Sequence, residues 1–167
     1  MTDARLRAEK QHLANLLEAI QRCTYFLDAS AKKLPWPLQK DYLEKNKKNI
    51  EIFESLAAVN ERFAKLQDVL GSAMRHAALL AGEPADSFLK VLAFYEKAGV
   101  IESVSDWQLF RTVRNLAAHD YETDCGQIAE HFNALKELLE PLEQSARKFI
   151  EYCNSVLNIS PTSNTFS

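Results

Sequence analysis

The sequence predicts an all-α protein, an up-and-down bundle of about five helices with a four-helix core and one extra helix. Two observations support this fold class. The 167 residues include only four glycines and five prolines, and no run of β-branched residues suggests a strand. With 47% hydrophobic residues, the chain can bury one core. We therefore expect a single domain over residues 1–159, followed by a disordered C-terminal tail over residues 160–167.

The first half of the chain predicts two long helices. Residues 3–29 carry an apolar stripe with three-and-four spacing, which is typical of an amphipathic helix. Leu34-Pro-Trp-Pro37 cannot continue that helix, so a turn or a short extended connector follows. Residues 40–80 predict a second helix, polar at its start, for which Gly71 offers a place to bend.

Three further helices complete the prediction. Gly82 should end the second helix, and the third should begin at Glu83-Pro84 and run to residue 98, closed by Gly99. The fourth starts at the capping residues 103–106. Its expected apolar face consists of Trp107, Phe110, Val113, Leu116 and Ala117. The fifth spans residues 127–158, with a kink at Pro141.

Charge and cysteine content exclude several functional classes. The net charge of −3 excludes a broad basic face for nucleic acid, so any such contact must be local. The charged amino terminus lacks the apolar segment of a signal peptide, and no stretch approaches a membrane span, so we expect a cytoplasmic protein without membrane contact. Cys23, Cys125 and Cys153 are far apart and odd in number, which predicts buried thiols rather than disulfides or a zinc site.

A cluster of polar residues near the end of the fourth predicted helix indicates a phosphate site. It consists of Arg111, Arg114, Asn115, His119 and Tyr121. The arginine fork matches phosphate oxygens, and histidine exchanges a proton near neutral pH. The combination suggests phosphodiester chemistry that needs neither a metal nor another cofactor.

Helical periodicity divides these residues into two rows. Arg111, Asn115 and His119 are four residues apart, whereas Arg114 and Tyr121, seven apart, form a second row. On an unbroken helix Arg114 and His119 would be about 140° apart, too far for one phosphate to meet both easily. Either the helix breaks near His119 or two chains contribute. We favour a twofold dimer that brings Arg114 of one subunit near His119 of the other.

Some polar residues have simpler interpretations. Arg111 could equally form a surface salt bridge, and the motif as a whole could be an exposed helix end without function. His12 and His76 lack carboxylate partners at useful sequence spacing and read as structural or solvent-facing. A metal site formed by His131, Glu130, Asp124, His119 and Asp120 would match no known ligand spacing, so we predict none. Trp36 could be a core residue or a contact for another chain.

The sequence Arg114-Asn115-x-x-x-His119-x-Tyr121 resembles the R-x4-H motif of the HEPN superfamily, in the form of its toxin branch paired with minimal nucleotidyltransferase antitoxins. It is also similar to the branch called nucleotidyltransferase substrate-binding proteins. The preceding Phe94-Tyr-Glu-Lys-Ala-Gly-Val-Ile101 and Trp107 resemble the lead-in to that motif. Only this region is specific, because the remaining helices match simply as amphipathic helices.

The resemblance implies a dimeric, metal-independent endoribonuclease with a composite site. His119 would be the general base or acid, Arg114 would hold the phosphate, and Asn115 would orient the site. Tyr121 occupies the position to which the antitoxin of this branch adds AMP. The alternative is a non-enzymatic helical subunit of the same ancestry, which binds a nucleotide or a partner nucleotidyltransferase.

Overall fold

The structure, a computed structural model, describes residues 2–117 and 123–167. These ranges contain six helices and no strand, which confirms the all-α prediction. The helices are α1 (Asp3–Ala31), α2 (Lys40–Lys45), α3 (Ile50–Leu80), α4 (Phe88–Lys97), α5 (Val104–Ala117) and α6 (Cys125–Leu157). Within the described ranges, no helix combines the length and apolarity that a membrane crossing requires.

The long helices α1 and α3 form the centre of the bundle and run antiparallel. Arg62 of α3 donates to the carbonyl of Phe26 near the end of α1, at 3.1 Å. At the opposite end, His76 Nε2 lies 3.2 Å from Glu9 Oε2. Their facing sides bury apolar residues with helical spacing, as the first stripe predicted. The buried residues include Leu13, Leu17, Ile20 and Leu27 on α1 and Val59, Phe63, Leu66 and Leu70 on α3.

The prediction of one helix over residues 40–80 is wrong, because the chain forms α2 and α3 with a break between them. Asn46 ends α2, and the Asn49 side chain accepts a hydrogen bond from Ile52 N at 3.2 Å, which caps α3. An asparagine side chain can accept from the free backbone N–H groups of a first helical turn. Asn49 therefore favours the start of a new helix over the continuation of α2. Helix α3 then continues through Gly71.

Helix ends between α3 and α5 agree with the prediction except at one point. Gly82 (φ 75°) and Gly99 (φ 77°) adopt the positive φ that glycine favours, each just after a helix. Helix α4, however, begins at Phe88 and not at Glu83-Pro84. Ser87 caps it by accepting from Lys90 N at 3.3 Å. This side-chain acceptor fixes the start of α4, whereas a proline supplies no such acceptor.

The predicted connector between α1 and α2 is present and is anchored at two points. Trp36 precedes a cis peptide bond to Pro37. The indole of this half-buried residue donates to the Ala31 carbonyl at 2.8 Å and packs on the core, which answers the question left open by its sequence. Asn133 of α6 exchanges two hydrogen bonds with the backbone of Leu38, at 2.7 and 3.0 Å.

Residues 160–167 differ from the disordered tail predicted for them, because they lie against α1. Thr162 N donates to the Ala14 carbonyl at 3.3 Å, and its hydroxyl donates to Asn15 Oδ1 at 2.6 Å. The Phe166 ring lies 5.6 Å from the ring of Tyr25, centroid to centroid. The segment is polar in composition, yet these bonds and the aromatic contact hold it on the bundle.

Candidate functional site

Helix α5 begins as predicted and is oriented by two aromatic residues. Ser103 Oγ accepts from Asp106 N at 3.0 Å, which satisfies a free donor in the first turn. Trp107 and Phe110 are buried against α3. Val113 is half-buried, but Leu116 is 44% exposed, so its assignment to the buried face is wrong. The side chain of Ala117 lies outside the described residues.

Close approach of α3 to α5 depends on Gly71. A Cβ at this position would lie 3.2 Å from Phe88 Cζ and 3.4 Å from Trp107 Cζ2. The missing side chain lets the two aromatic rings rest on α3. Gly71 therefore contributes to the shape of the surface between α3, α4 and α5.

Arg114 is the best-anchored cation of the motif. Its Nη1 donates to the carbonyl of Ala64 at 3.0 Å and to Asp68 Oδ1 at 2.7 Å, both one helical turn apart on α3. The Arg114 side chain is 14% exposed, whereas that of Asp68 is 64% exposed. Two acceptors thus hold the guanidinium at the mouth of the groove between α3 and α5. The bond to Asp68 is charge-assisted and therefore stronger than a neutral hydrogen bond.

A cavity of about 240 Å³ lies beside Arg114. Its polar and charged lining comes from Gln67, Asp68, Ser72, Arg75, Arg111 and Arg114. Phe88, Trp107 and Gly71 complete the walls. Arg111 thus faces the same cavity as Arg114, and it forms no ion pair with any carboxylate of the described residues.

The structure brings only part of the predicted site together. Arg111 and Arg114 share the cavity, while Asn115 is exposed on α5 and does not line it. His119 and Tyr121 lie outside the described residues, as does Asp120. Arg114 lies in the last turn of α5 as described, where the helix dipole favours a cation.

Sequence reasoning missed the contribution of α3 to this site. Four α3 residues at or beside the site are spaced so that they lie along one side of the helix: Ala64, Gln67, Asp68 and Arg75. The available signal was a glutamine followed by an aspartate within an otherwise apolar stripe. That signal marks a polar face but does not say which helix will cover it.

Other titratable residues have structural surroundings. His76, which has no carboxylate partner at useful sequence spacing, lies 3.2 Å from Glu9 of α1. Its ring also meets the ring of His12 edge-on, with centroids 4.9 Å apart. Sequence spacing could not reveal a partner supplied by another helix. In the described part of the chain, no group of three or more His, Cys, Asp or Glu residues could hold a metal.

Burial makes two of the three cysteines poor nucleophiles. Cys125 and Cys153 are buried and Cys23 is half-buried, and all three are free thiols. Burial raises the pKa of Cys153 to about 12 and also raises the pKa of Cys23. A thiol with a raised pKa stays protonated at neutral pH and is unreactive.

No family model, curated protein or solved structure matches this chain. The interpretation of the site therefore depends on the motif residues and on the geometry around Arg114.

Proposed function

We propose that the protein is a metal-independent endoribonuclease, the toxin of a toxin–antitoxin pair, with a site formed by Arg114 and His119. The observation that carries the proposal is the fixed Arg114 guanidinium, held by the Ala64 carbonyl and Asp68 beside a cavity that Arg111 also lines. A positioned guanidinium can bind a phosphate and stabilise the charge that develops on it.

In the proposed reaction, a ribose 2′-hydroxyl attacks the neighbouring phosphorus. His119 as general base takes the hydroxyl proton, and a new bond forms between the 2′-oxygen and phosphorus. The bond from phosphorus to the 5′-oxygen breaks, and that oxygen leaves with a proton from a water molecule. The products are a 2′,3′-cyclic phosphate and a 5′-hydroxyl end. Arg114 stabilises the phosphate oxygens throughout, and Asn115 orients the reacting groups.

The proposed site is composite and is shared between the two subunits of a twofold dimer. Two leucines one heptad apart on this helix, Leu109 and Leu116, are 47% and 44% exposed. Thr112 between them is also exposed. A partly apolar helix face of this kind can pack on its own symmetry mate. These leucines support dimer formation only, because Arg114 lies on another side of α5, against α3.

The proposed partner is a minimal nucleotidyltransferase antitoxin that adds AMP to Tyr121. Tyr121 follows Arg114 by seven residues, and so shares its row if the helical spacing continues. The attached phosphate would compete with RNA for the arginine donors. The AMP phosphate would then occupy the arginine donors that bind RNA in the unmodified protein. The modified protein would therefore be inactive.

The test is cleavage of a mixed RNA pool by purified protein in the presence of a chelator. His119→Ala is assayed in parallel, with His131→Ala as the control for losing a histidine on the following helix. We expect cleavage by the wild type and the control but not by His119→Ala. Intact mass is recorded first, so that protein carrying AMP is set aside. Chelator-resistant cleavage that survives in His119→Ala, or no cleavage by protein of unmodified mass, would contradict the proposal and favour the non-enzymatic subunit.

A further inference from the structure

The cavity between α3, α4 and α5 carries more positive charge than a phosphate contact by Arg114 alone requires. Arg75, from α3, lines it together with Arg111 and Arg114. The carboxylate that lines the cavity within the described residues is Asp68, which is already bonded to Arg114. Arg75 and Arg111 are both exposed, so their guanidinium groups remain available for an anion. The charge balance of the cavity favours a ligand with a phosphate group.

Gln67 supplies a second, independent indication of a ligand. This residue is 3% exposed and lines the cavity. Its Nε2 donates to the carbonyl of Trp107 at 3.0 Å, which fixes the orientation of the amide. Its Oε1 is buried and accepts no hydrogen bond from any described residue. An unpaired buried acceptor is unfavourable, so a ligand N–H group that reaches Oε1 from the cavity would be stabilised there.

The remaining walls suit a flat, partly apolar group. The side chains of Phe88 and Trp107 line the cavity, with ring centroids 6.0 Å apart. The volume of about 240 Å³ is below that of a drug-sized site, so the cavity would hold one small unit of a longer ligand. A nucleotide combines a flat, partly apolar base, which has N–H donors at its edge, with a phosphate group nearby.

We infer that this cavity, which we call the α3–α5 pocket, binds one nucleoside monophosphate unit. Arg75 and Arg111 hold its phosphate, and Gln67 Oε1 accepts a hydrogen bond from an N–H group of the base. The inference deepens the proposed function, because it makes the pocket a subsite for one nucleotide of the RNA substrate. Gln67 then discriminates a base from a bare phosphate, and Arg75 adds affinity without taking part in the reaction.

Calorimetric titration of the unmodified protein with each of the four 5′-mononucleotides and with inorganic phosphate tests this inference. We expect at least one nucleotide to bind about tenfold more tightly than phosphate. Arg75→Gln should weaken both kinds of ligand by about threefold to tenfold. Gln67→Met should weaken nucleotides and leave phosphate unchanged. The matched control is Arg7→Gln, which removes an exposed arginine of α1 outside the pocket lining and should change nothing.

Two results would overturn the inference. One is equal affinity of the wild type for phosphate and for every nucleotide, and the other is nucleotide binding unaffected by Arg75→Gln. Arg75 is exposed, so this second variant gives an answer even if Gln67→Met fails to fold. Binding without RNA cleavage would sustain the pocket and refute the proposed function. RNA cleavage without nucleotide binding would refute the pocket and sustain the proposed function.

Discussion

Asp68 Oδ1 accepts a hydrogen bond from Arg114 Nη1 at 2.7 Å, so the most deeply placed cation of the motif is already paired with a carboxylate. The pair is asymmetric, with Arg114 14% exposed and Asp68 64% exposed. Asp68 therefore both positions the guanidinium and lowers the positive charge of the α3–α5 pocket. The Ala64 carbonyl provides an anchor for Arg114 that does not depend on Asp68.

Replacing Asp68 with asparagine should strengthen RNA binding. The pocket gains one unit of net positive charge, while the Ala64 carbonyl still holds Arg114. We expect a steeper dependence of affinity on salt concentration, and a loss of stability below about 1 kcal/mol because the carboxylate is exposed. Binding to a non-cleavable oligonucleotide at several salt concentrations measures the effect. Asp86→Asn, which breaks the exposed pair with Lys90, is the control. Weaker binding in Asp68→Asn would refute this account of the residue.

The buried carboxyl of Glu143 should make stability depend on pH. Burial, followed by its hydrogen bond with Asp28, raises the pKa of Glu143 from 4.5 to about 9. The folded protein therefore keeps a proton that the unfolded chain loses. The contribution is fully favourable below about pH 4.5 and is lost progressively as the pH rises toward about 9.

Urea unfolding between pH 5 and 9 should therefore show a decline that Glu143→Gln reduces, with a slope of at most about 1.4 kcal/mol per pH unit from this group. The substitution should also stabilise the protein at the alkaline end. Glu137→Gln, on the exposed side of the same helix, should leave the decline unchanged. Identical pH profiles for wild type and Glu143→Gln would show that Glu143 is ionised in the folded state.

Deletion of residues 161–167 should destabilise the bundle. It removes the bonds of Thr162 to α1 and the contact of the Phe166 ring with Tyr25. We expect a loss of about 1–2 kcal/mol, most of which Phe166→Ala alone should reproduce. Thermal unfolding measures both variants, with Thr165→Ala as an exposed control in the same segment. An unchanged melting temperature in the deletion would mean that the segment adds no stability.

A side chain at Gly71 should distort the α3–α5 pocket. Its Cβ would already lie 3.2 Å from Phe88 Cζ, so Gly71→Leu must displace the aromatic wall. We expect a loss of stability of about 1–3 kcal/mol, together with weaker nucleotide binding. Ala57→Leu, on an exposed side of the same helix, should be nearly neutral. Full stability and unchanged binding in Gly71→Leu would show that the close packing at this position is dispensable.

The sequence was sufficient for the fold class and for most helix ends, because those depend on local chemistry. Gly82, Gly99 and Ser103 act through their own backbone or side chain, so their effects could be predicted without knowing any neighbour. The break at Asn49 was missed because a polar segment that is good for a helix surface also contains a capping residue. When a segment favours both helix continuation and a helix start, packing against the rest of the fold decides which one forms.

The site was predicted on α5 but not on α3. Periodicity shows which residues share one side of a helix, and so it grouped Arg111 with Asn115. It does not show that Arg114 reaches Ala64 and Asp68, fifty and forty-six residues earlier. For the same reason the Glu9 partner of His76 could not be foreseen. Pairing between distant helices depends on packing, which a single helix does not encode.

The most direct test of the composite Arg114–His119 site is a mixing experiment. Arg114→Gln and His119→Ala proteins are each assayed for RNA cleavage, then unfolded together at equal concentration, refolded and assayed again. We predict that each variant is inactive and that the mixture recovers about one quarter of wild-type activity, because half of the dimers are mixed and each keeps one intact site. A mixture as inactive as its components would contradict a site shared between subunits.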